Sequence, residues 1–222
     1  MAGEKGTLIY FSGMGLGQEF LSVGHMNGWR VVVPEWPTPE YRESLADYSR
    51  RIIQRIESFN PTHLAGVSFG APVALEIARS LNVRGVVIVA GPMSPKDIRW
   101  YFRILRHVYP QMLVWLLRLA FILAAMIVRW FSPLLSSNAK GFFKYFLMAD
   151  RSFVEWGVSS LLNWKPCPCI GNLPVLRVHG GRDYIFAASS HHDTRFISDG
   201  GHALTATHAV LVNQFIYEFI KR

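Results

Sequence analysis

The amino-acid sequence predicts an α/β fold: a mostly parallel sheet of about six strands, flanked by helices and interrupted by one helical insertion. Two patterns favour this class. Short apolar runs such as 29–33 are unbroken, which is typical of parallel strands covered on both faces. They alternate with segments such as 45–59, where apolar residues recur at helical intervals. The 222 residues suffice for a single domain with one substantial core.

The elements follow one another along the chain, each strand leading into a helix or a loop. We expect strands at 7–11, 29–33, 62–67 and 83–90, and at the starts of 174–183 and 195–202. Helical spacing predicts helices at 45–59, 69–81 and 203–220, which should pack on the sheet.

One predicted strand-to-helix turn has the pattern of a chemical site. The sequence Gly-Val-Ser-Phe-Gly at 66–70 follows a short apolar run and precedes a run with helical spacing. In that context Gly-x-Ser-x-Gly is the pattern of a nucleophile elbow, a strained turn that exposes a serine hydroxyl. Gly66 and Gly70 supply the small residues needed where strand and helix nearly touch. For the motif alone, a glycine-rich turn without chemistry is the alternative.

Two further motifs lie near the end of the chain. The strand within 174–183 ends in a turn that delivers Asp183, and the strand within 195–202 ends in a glycine pair and His202. Ser68, Asp183 and His202 therefore follow three different strands. Their order along the chain is the order found in α/β-hydrolases.

On these motifs the sequence resembles the α/β-hydrolase superfamily, over about residues 6–93 and 170–222. The resemblance implies that Ser68 attacks a carbonyl carbon, that His202 transfers the proton, and that Asp183 holds the imidazole. It does not fix a substrate, because one fold hosts many reactions. The chain starts at what is usually the third strand of the family, so the sheet should be reduced.

Other residues compete for two of these roles. Asp199 is the main rival acid, but it lies three residues before His202 and its short tether makes support from behind the ring awkward. The rival histidines are His179, His191, His192 and His208. We expect His179 to shape the turn after its strand.

The loop after the first strand reads Ser-Gly-Met-Gly at 12–15. The resemblance implies an oxyanion hole here, formed by the backbone N–H groups of Met14 and Phe69. Ser12 stands where many members of the family have a histidine. A phosphate-binding glycine loop is disfavoured, because no Gly-Lys-Ser/Thr ending follows.

Residues 94–169 form the predicted insertion, a helical cap between core segments 1–93 and 170–222. Helices are expected at 96–107, 111–131, 139–148 and 151–164. The run 111–128 is apolar except for Arg118, which is also the pattern of a transmembrane helix. A single span would separate Ser68 from His202, so we interpret the segment as a cap, with shallow membrane contact as the alternative. We expect Trp36, Leu113, Trp115, Leu116 and Phe121 to line the substrate pocket.

Charge is concentrated in the insertion. Ten basic and three acidic residues lie within 94–169, so this segment carries +7 of the net charge of +8. This excess suggests an acidic carrier protein, an anionic membrane surface or an anionic substrate as partner, although solvated helix faces explain it as well. Nucleic acid is disfavoured, because no recognised binding motif is present.

The two cysteines, Cys167 and Cys169, flank a proline and lack further ligands at metal-site spacing. We expect free thiols, no metal and no cofactor. The first residues have no apolar run of the secretory type. We therefore expect a cytoplasmic protein, with membrane association as the alternative.

The activity implied by the resemblance is hydrolysis of a carboxylic ester or thioester with an apolar acyl group, through an acyl-enzyme. An elbow serine disfavours halide displacement and epoxide opening, which use an aspartate there. Carbon–carbon bond hydrolysis and a peroxidase-type side activity are the rival reactions. A thioesterase or esterase that docks on a carrier protein or lipid through the basic cap is a further alternative, as is a binding protein without turnover.

Overall fold

The computed structural model describes residues 4–14, 26–104, 150–165, 173–188 and 193–222, and nine residues between 112 and 126. Six β-strands lie within these ranges. They are β1 (Gly6–Phe11), β2 (Trp29–Val32), β3 (Pro61–Val67), β4 (Gly85–Val89), β5 (Val175–Gly180) and β6 (Thr194–Ile197).

The six strands form one sheet with the order β2-β1-β3-β4-β5-β6, and the five pairings between neighbours are all parallel. The predicted α/β class with a reduced sheet is confirmed. Because the strands are parallel, their carboxyl ends meet at one edge of the sheet. The turns after β1, β3, β5 and β6, which carry the predicted site residues, therefore lie along the same edge.

Helices cover both faces of this sheet. They are α1 (Leu45–Ile56), α2 (Gly70–Ala78), α3 (Trp100–Ile104), α4 (Arg151–Leu162), α5 (Leu204–Thr207) and α6 (Ala209–Ile220). The side chains of alternate strand residues pack with α1, α2 and α4 on one face. Those on the other face pack against α6. This two-sided burial explains why the strands read as unbroken apolar runs.

Three predicted helices are shorter than expected or divided. Asn60 adopts a left-handed conformation (φ 49°) and ends the single 3₁₀ turn that follows α1. Helix α2 ends at Ala78 rather than at 81. The predicted helix 203–220 is divided at His208, whose backbone (φ −131°, ψ 34°) is not helical.

The expected helix over 96–107 is wrong in its first part. A 3₁₀ turn at Pro95–Asp97 is followed by extended backbone at Ile98, which forms an antiparallel bridge with Phe186. The backbone N–H of Ala187 donates to the carbonyl of Asp97 at 2.7 Å. The start of the insertion is therefore bonded to the loop after β5, and α3 begins only at Trp100.

Helix α4, in the insertion, packs on the core through Phe153 and Leu161. Asp150 caps it by accepting from the backbone N–H groups of Ser152 and Phe153. The helix predicted at 139–148 lies outside the described residues, and the domain boundaries remain a prediction. Within those residues, no helix is long and apolar enough to cross a membrane.

Candidate active site

Ser68 occupies a strained turn between β3 and α2. Its backbone has a positive φ of 51°, which a non-glycine residue rarely adopts. A Cβ atom on Gly66 would lie 2.2 Å from the carbonyl oxygen of Gly70. One on Gly70 would lie 2.5 Å from the carbonyl oxygen of Phe11. Strand, helix and neighbouring loop are thus in backbone contact here, and only glycine fits at the two flanking positions.

Ser68, His202 and Asp183 form one hydrogen-bonded chain. Ser68 Oγ lies 2.9 Å from His202 Nε2, and His202 Nδ1 lies 3.0 Å from Asp183 Oδ2. The carboxylate is fully buried, whereas the imidazole is partly exposed. The residues that the sequence motifs singled out therefore meet at the carboxyl edge of the sheet.

Asp183 is fixed by its own loop. Its Oδ1 accepts hydrogen bonds from the backbone N–H groups of Ile185 at 2.8 Å and Phe186 at 3.0 Å. Burial disfavours the charged form, but the hydrogen bond and charge of His202, with these two amides, outweigh it. The pKa of Asp183 therefore lies below its usual value. The carboxylate is held ionised, with one oxygen directed to the imidazole.

Asp199, His179 and His208 have partners other than Ser68. The Asp199 carboxylate is exposed and lies 3.4 Å from His208 Nε2. His179 is buried with its Nε2 3.2 Å from the carbonyl oxygen of Phe186, so it contacts the Asp183 loop as predicted. The rivals at 191 and 192 lie outside the described residues.

The loop after β1 runs beside the start of α2. A Cβ on Gly70 would also lie 2.7 Å from the carbonyl oxygen of Ser12, so Met14 and Phe69 belong to touching segments. The Met14 side chain lies against Gly157 of α4. Ser12 Oγ accepts a hydrogen bond from Trp36 Nε1 at 2.9 Å. The predicted oxyanion loop is thus braced by a tryptophan and by the insertion.

An aromatic wall lies on this side of the site. Its rings belong to Trp36, Tyr48, Phe69, Phe153 and Trp156, with centroid separations from 4.4 to 6.4 Å. The last two rings come from α4, which contributes them from the insertion. The wall begins at Phe69, next to Ser68; the rings of Tyr48, Phe69 and Phe153 are buried in the core, and those of Trp36 and Trp156 are half-buried.

The model of the alpha/beta hydrolase family matches residues 11–214. The chain belongs to this family. A comparison with curated proteins found no match.

Solved structures show the same alpha/beta hydrolase fold at low sequence identity. A hydrolase from Pseudomonas aeruginosa superposes with a TM-score of 0.73 at 13% identity, covering 100% of this chain and 92% of that one. A thermophilic esterase from Thermogutta terrifontis gives 0.69 at 16% identity, with coverages of 99% and 90%. The RedJ thioesterase of the prodiginine pathway in Streptomyces coelicolor gives 0.63 at 15%, with coverages of 98% and 91%.

The predicted pocket residues fall into two groups in this alpha/beta hydrolase. Trp36 is part of the aromatic wall beside Ser68. Trp115 and Leu116 are exposed, at 57% and 44%. Leu113 and Phe121 lie outside the residues whose side chains are described. A role of these four insertion residues in the pocket stays a prediction.

The sequence analysis missed a buried ion pair behind Asp183. Arg177, in the middle of β5, lies with its Nη2 3.2 Å from Asp97 Oδ2, and both residues are almost completely buried. Arg177 also donates to the carbonyl oxygens of Gly91 and Ala187. The signal was available, since an arginine within an apolar parallel strand requires a buried acidic partner.

Arg99 completes this polar cluster. Its guanidinium donates two hydrogen bonds, at 2.7 and 3.1 Å, to the backbone carbonyl of Asp183. The sequence analysis counted Arg99 and Asp97 only as charges of the insertion. The structure uses both to hold the loop that carries Asp183.

Among the described residues, no group of three or more His, Cys, Asp or Glu side chains could hold a metal ion. The cysteines at 167 and 169 lie outside these residues.

Proposed function

We propose that this chain is a serine hydrolase that cleaves a carboxylic ester or thioester with an apolar acyl group. The observation that carries the proposal is the hydrogen-bonded chain from Ser68 through His202 to Asp183, which starts at a strained strand-to-helix turn. Family membership and the fold shared with an esterase and a thioesterase support it.

In the proposed first step, His202 Nε2 takes the proton of Ser68 Oγ as the oxygen attacks the carbonyl carbon. The imidazolium then gives this proton to the leaving alcohol or thiol, and an acyl-enzyme remains on Ser68. Water repeats the sequence, with His202 first as base and then as acid, and releases the carboxylic acid. Asp183 fixes the Nδ1–H tautomer and stabilises the imidazolium by its charge.

The proposed oxyanion hole consists of the backbone N–H groups of Met14 and Phe69. Each would donate to the oxygen that becomes negative in the tetrahedral intermediate. Support comes from the backbone contact between the Ser12 loop and Gly70, which places the two segments together. The brace from Trp36 to Ser12 would keep the loop in position.

The apolar acyl preference rests on the aromatic wall. A chain attached at Ser68 would lie on the side of this wall, where the half-buried rings are those of Trp36 and Trp156. Burying its methylene groups contributes about 0.8 kcal/mol for each group. Medium or long acyl chains should therefore be preferred to acetyl.

The decisive experiment combines labelling and turnover. A fluorophosphonate should label the wild type and not Ser68→Ala, and esters and acyl-thioesters from acetyl to palmitoyl should be hydrolysed only by the wild type. Ser80→Ala is the matched control, because Ser80 is an exposed serine just beyond the end of α2. Labelling of Ser68→Ala at the wild-type rate would refute the nucleophile. A wild type that is neither labelled nor active on any of these substrates would indicate a binding protein.

A further inference from the structure

Exposed apolar side chains are concentrated in the insertion. Of the fourteen large hydrophobic side chains that are exposed among the described residues, ten lie between 100 and 126. The other four are scattered over the chain. Single exposed apolar residues are normal, whereas a contiguous group marks a contact surface.

Seven of these residues, each in helical backbone, share one face at α-helical spacing, and we name them the apolar stripe. Their spacing repeats at three and four positions, and at 100° per residue they fall within an arc of about 120°. Each is between 38% and 57% exposed. The stripe consists of Met112, Trp115, Leu116, Leu119, Ile122, Leu123 and Met126.

The stripe can contact a membrane without the chain crossing it. Ser68 precedes the insertion and His202 follows it, yet their side chains are hydrogen-bonded at 2.9 Å. A helix between them that spanned a bilayer once would place them on opposite sides. Contact in the plane of a surface leaves this pair intact.

The charge of the insertion identifies the kind of surface. Ten basic and three acidic residues lie within 94–169, and Lys96 and Arg103 are exposed. An apolar helix face in a strongly basic segment is the composition of helices that lie in the interface of anionic bilayers. A second copy of the chain would bring a second segment of +7 against the first, so self-association through the stripe is disfavoured.

We propose that the apolar stripe docks on the surface of an anionic lipid bilayer, with the helix axis parallel to the membrane plane. A carrier protein recognised through charges alone would leave the seven apolar side chains of the stripe in water, whereas an anionic bilayer meets both the charge and the apolar area. Arg99, the residue before α3, already donates two hydrogen bonds to the Asp183 carbonyl, so its guanidinium is not available for docking. The proposal does not depend on the reaction at Ser68.

The test is sedimentation of the full chain with vesicles of phosphatidylcholine, with and without phosphatidylglycerol. The wild type should bind the anionic vesicles more tightly, and the binding should weaken as salt is added. Leu123→Glu and Met126→Glu should each lower the partition coefficient about tenfold, because a charge replaces apolar area in the interface. Val210→Glu is the matched control, since Val210 is an exposed apolar residue on α6 and the charge change is identical.

The far-ultraviolet circular dichroism and the unfolding midpoint of all three variants should equal those of the wild type, which shows that they are folded. A wild type that stays in the supernatant with anionic vesicles would overturn the proposal. Equal losses in Val210→Glu would do the same. A dimer that Met126→Glu dissociates, or a complex with an acidic carrier protein that it abolishes in the absence of vesicle binding, would assign the stripe to a protein partner instead.

Discussion

The two sides of the candidate active site differ in chemistry: one is charged and the other is aromatic. Behind Asp183 lie charged groups: the buried Arg177–Asp97 pair and the half-buried guanidinium of Arg99. Beside Ser68 lies the aromatic wall, whose five rings contact one another, with one cation, the guanidinium of Arg51, over the ring of Tyr48. The insertion contributes to both, through Asp97 and Arg99 on the first side and through α4 on the second.

This difference predicts different responses to substitution. A buried ion pair that loses one partner leaves an uncompensated charge in a low-dielectric region, which is strongly destabilising. An aromatic cluster that loses part of a ring loses contact area in proportion. A substitution on the charged side should therefore cause a large loss of stability, and one on the aromatic side a smaller loss.

The largest effect is expected at the acid itself. Asp183→Asn should lower kcat by about three to four orders of magnitude, because the imidazole loses the partner that sets its tautomer. Asp199→Asn should change kcat less than about threefold, since its carboxylate contacts His208 instead. Steady-state kinetics on a soluble ester would measure both. A larger loss in Asp199→Asn than in Asp183→Asn would show that Asp199, and not Asp183, is the acid.

The second effect concerns the charge pair behind the acid. Asp97→Asn should cost about 3–5 kcal/mol of unfolding free energy, because Arg177 stays charged and buried. Arg177→Met should cost a similar amount, and the double variant less than the sum of the two. Denaturant titration of the four proteins would measure this coupling. Strict additivity would show that the two side chains do not depend on each other.

The same two variants should shift the pH dependence of activity in opposite directions. Asp97, Arg177, His179 and Asp183 are the ionisable groups grouped behind His202. With Asp97→Asn, the unbalanced positive charge disfavours the imidazolium, so the acid limb of the kcat/KM profile should move to lower pH. With Arg177→Met it should move to higher pH. A purely structural role would lower activity without moving the limb.

A smaller loss is expected on the aromatic side. Phe153→Leu should lower the free energy of unfolding by about 1–2 kcal/mol, because a buried ring is replaced by a smaller apolar side chain. The acid limb should stay where it is in the wild type, and the preference for long acyl chains should weaken. Denaturant titration and an ester series would separate the two consequences. A shift of the acid limb in this variant would contradict the division between the two sides.

The smallest expected effect is on the pH dependence of stability and comes from two buried histidines. Burial and then Arg177 lower the pKa of His179, partly offset by Asp183, while burial and then Arg84 lower the pKa of His63 to about 4. An unfolded histidine titrates near 6.5, so between these values the unfolded chain binds more protons than the folded one. The free energy of unfolding should therefore fall as the pH drops from about 6.5 towards 4.

His63 lies near the start of β3, at the opposite end of the sheet from Ser68. His63→Gln should flatten this pH dependence by about 1–2 kcal/mol without changing kcat. His179→Gln should flatten it and also alter activity, because His179 contacts the Asp183 loop. Thermal or denaturant unfolding from pH 7 to pH 4 would measure both. An unchanged slope in His63→Gln would show that folding does not lower the pKa of this histidine.

The fold class and the meeting of Ser68, Asp183 and His202 followed from local signals in the sequence. Apolar runs predict strands, and glycines two positions from a serine predict its turn, so each signal lies within a few residues. The Arg177–Asp97 pair joins positions eighty residues apart and has no such local pattern. The extended backbone at Ile98 depends on its bridge to Phe186, so helical spacing alone gave the wrong structure there.

The bridge between Ile98 and Phe186 also has a mechanical consequence. Together with the two hydrogen bonds of Arg99 to the Asp183 carbonyl, it joins the start of the insertion to the loop that holds Asp183. A displacement of residues 97–99 would therefore pull on the Asp183 loop and change the distance from the carboxylate to His202. The start of the insertion and the carboxylate behave as one rigid unit, so a strain applied to the one is felt by the other.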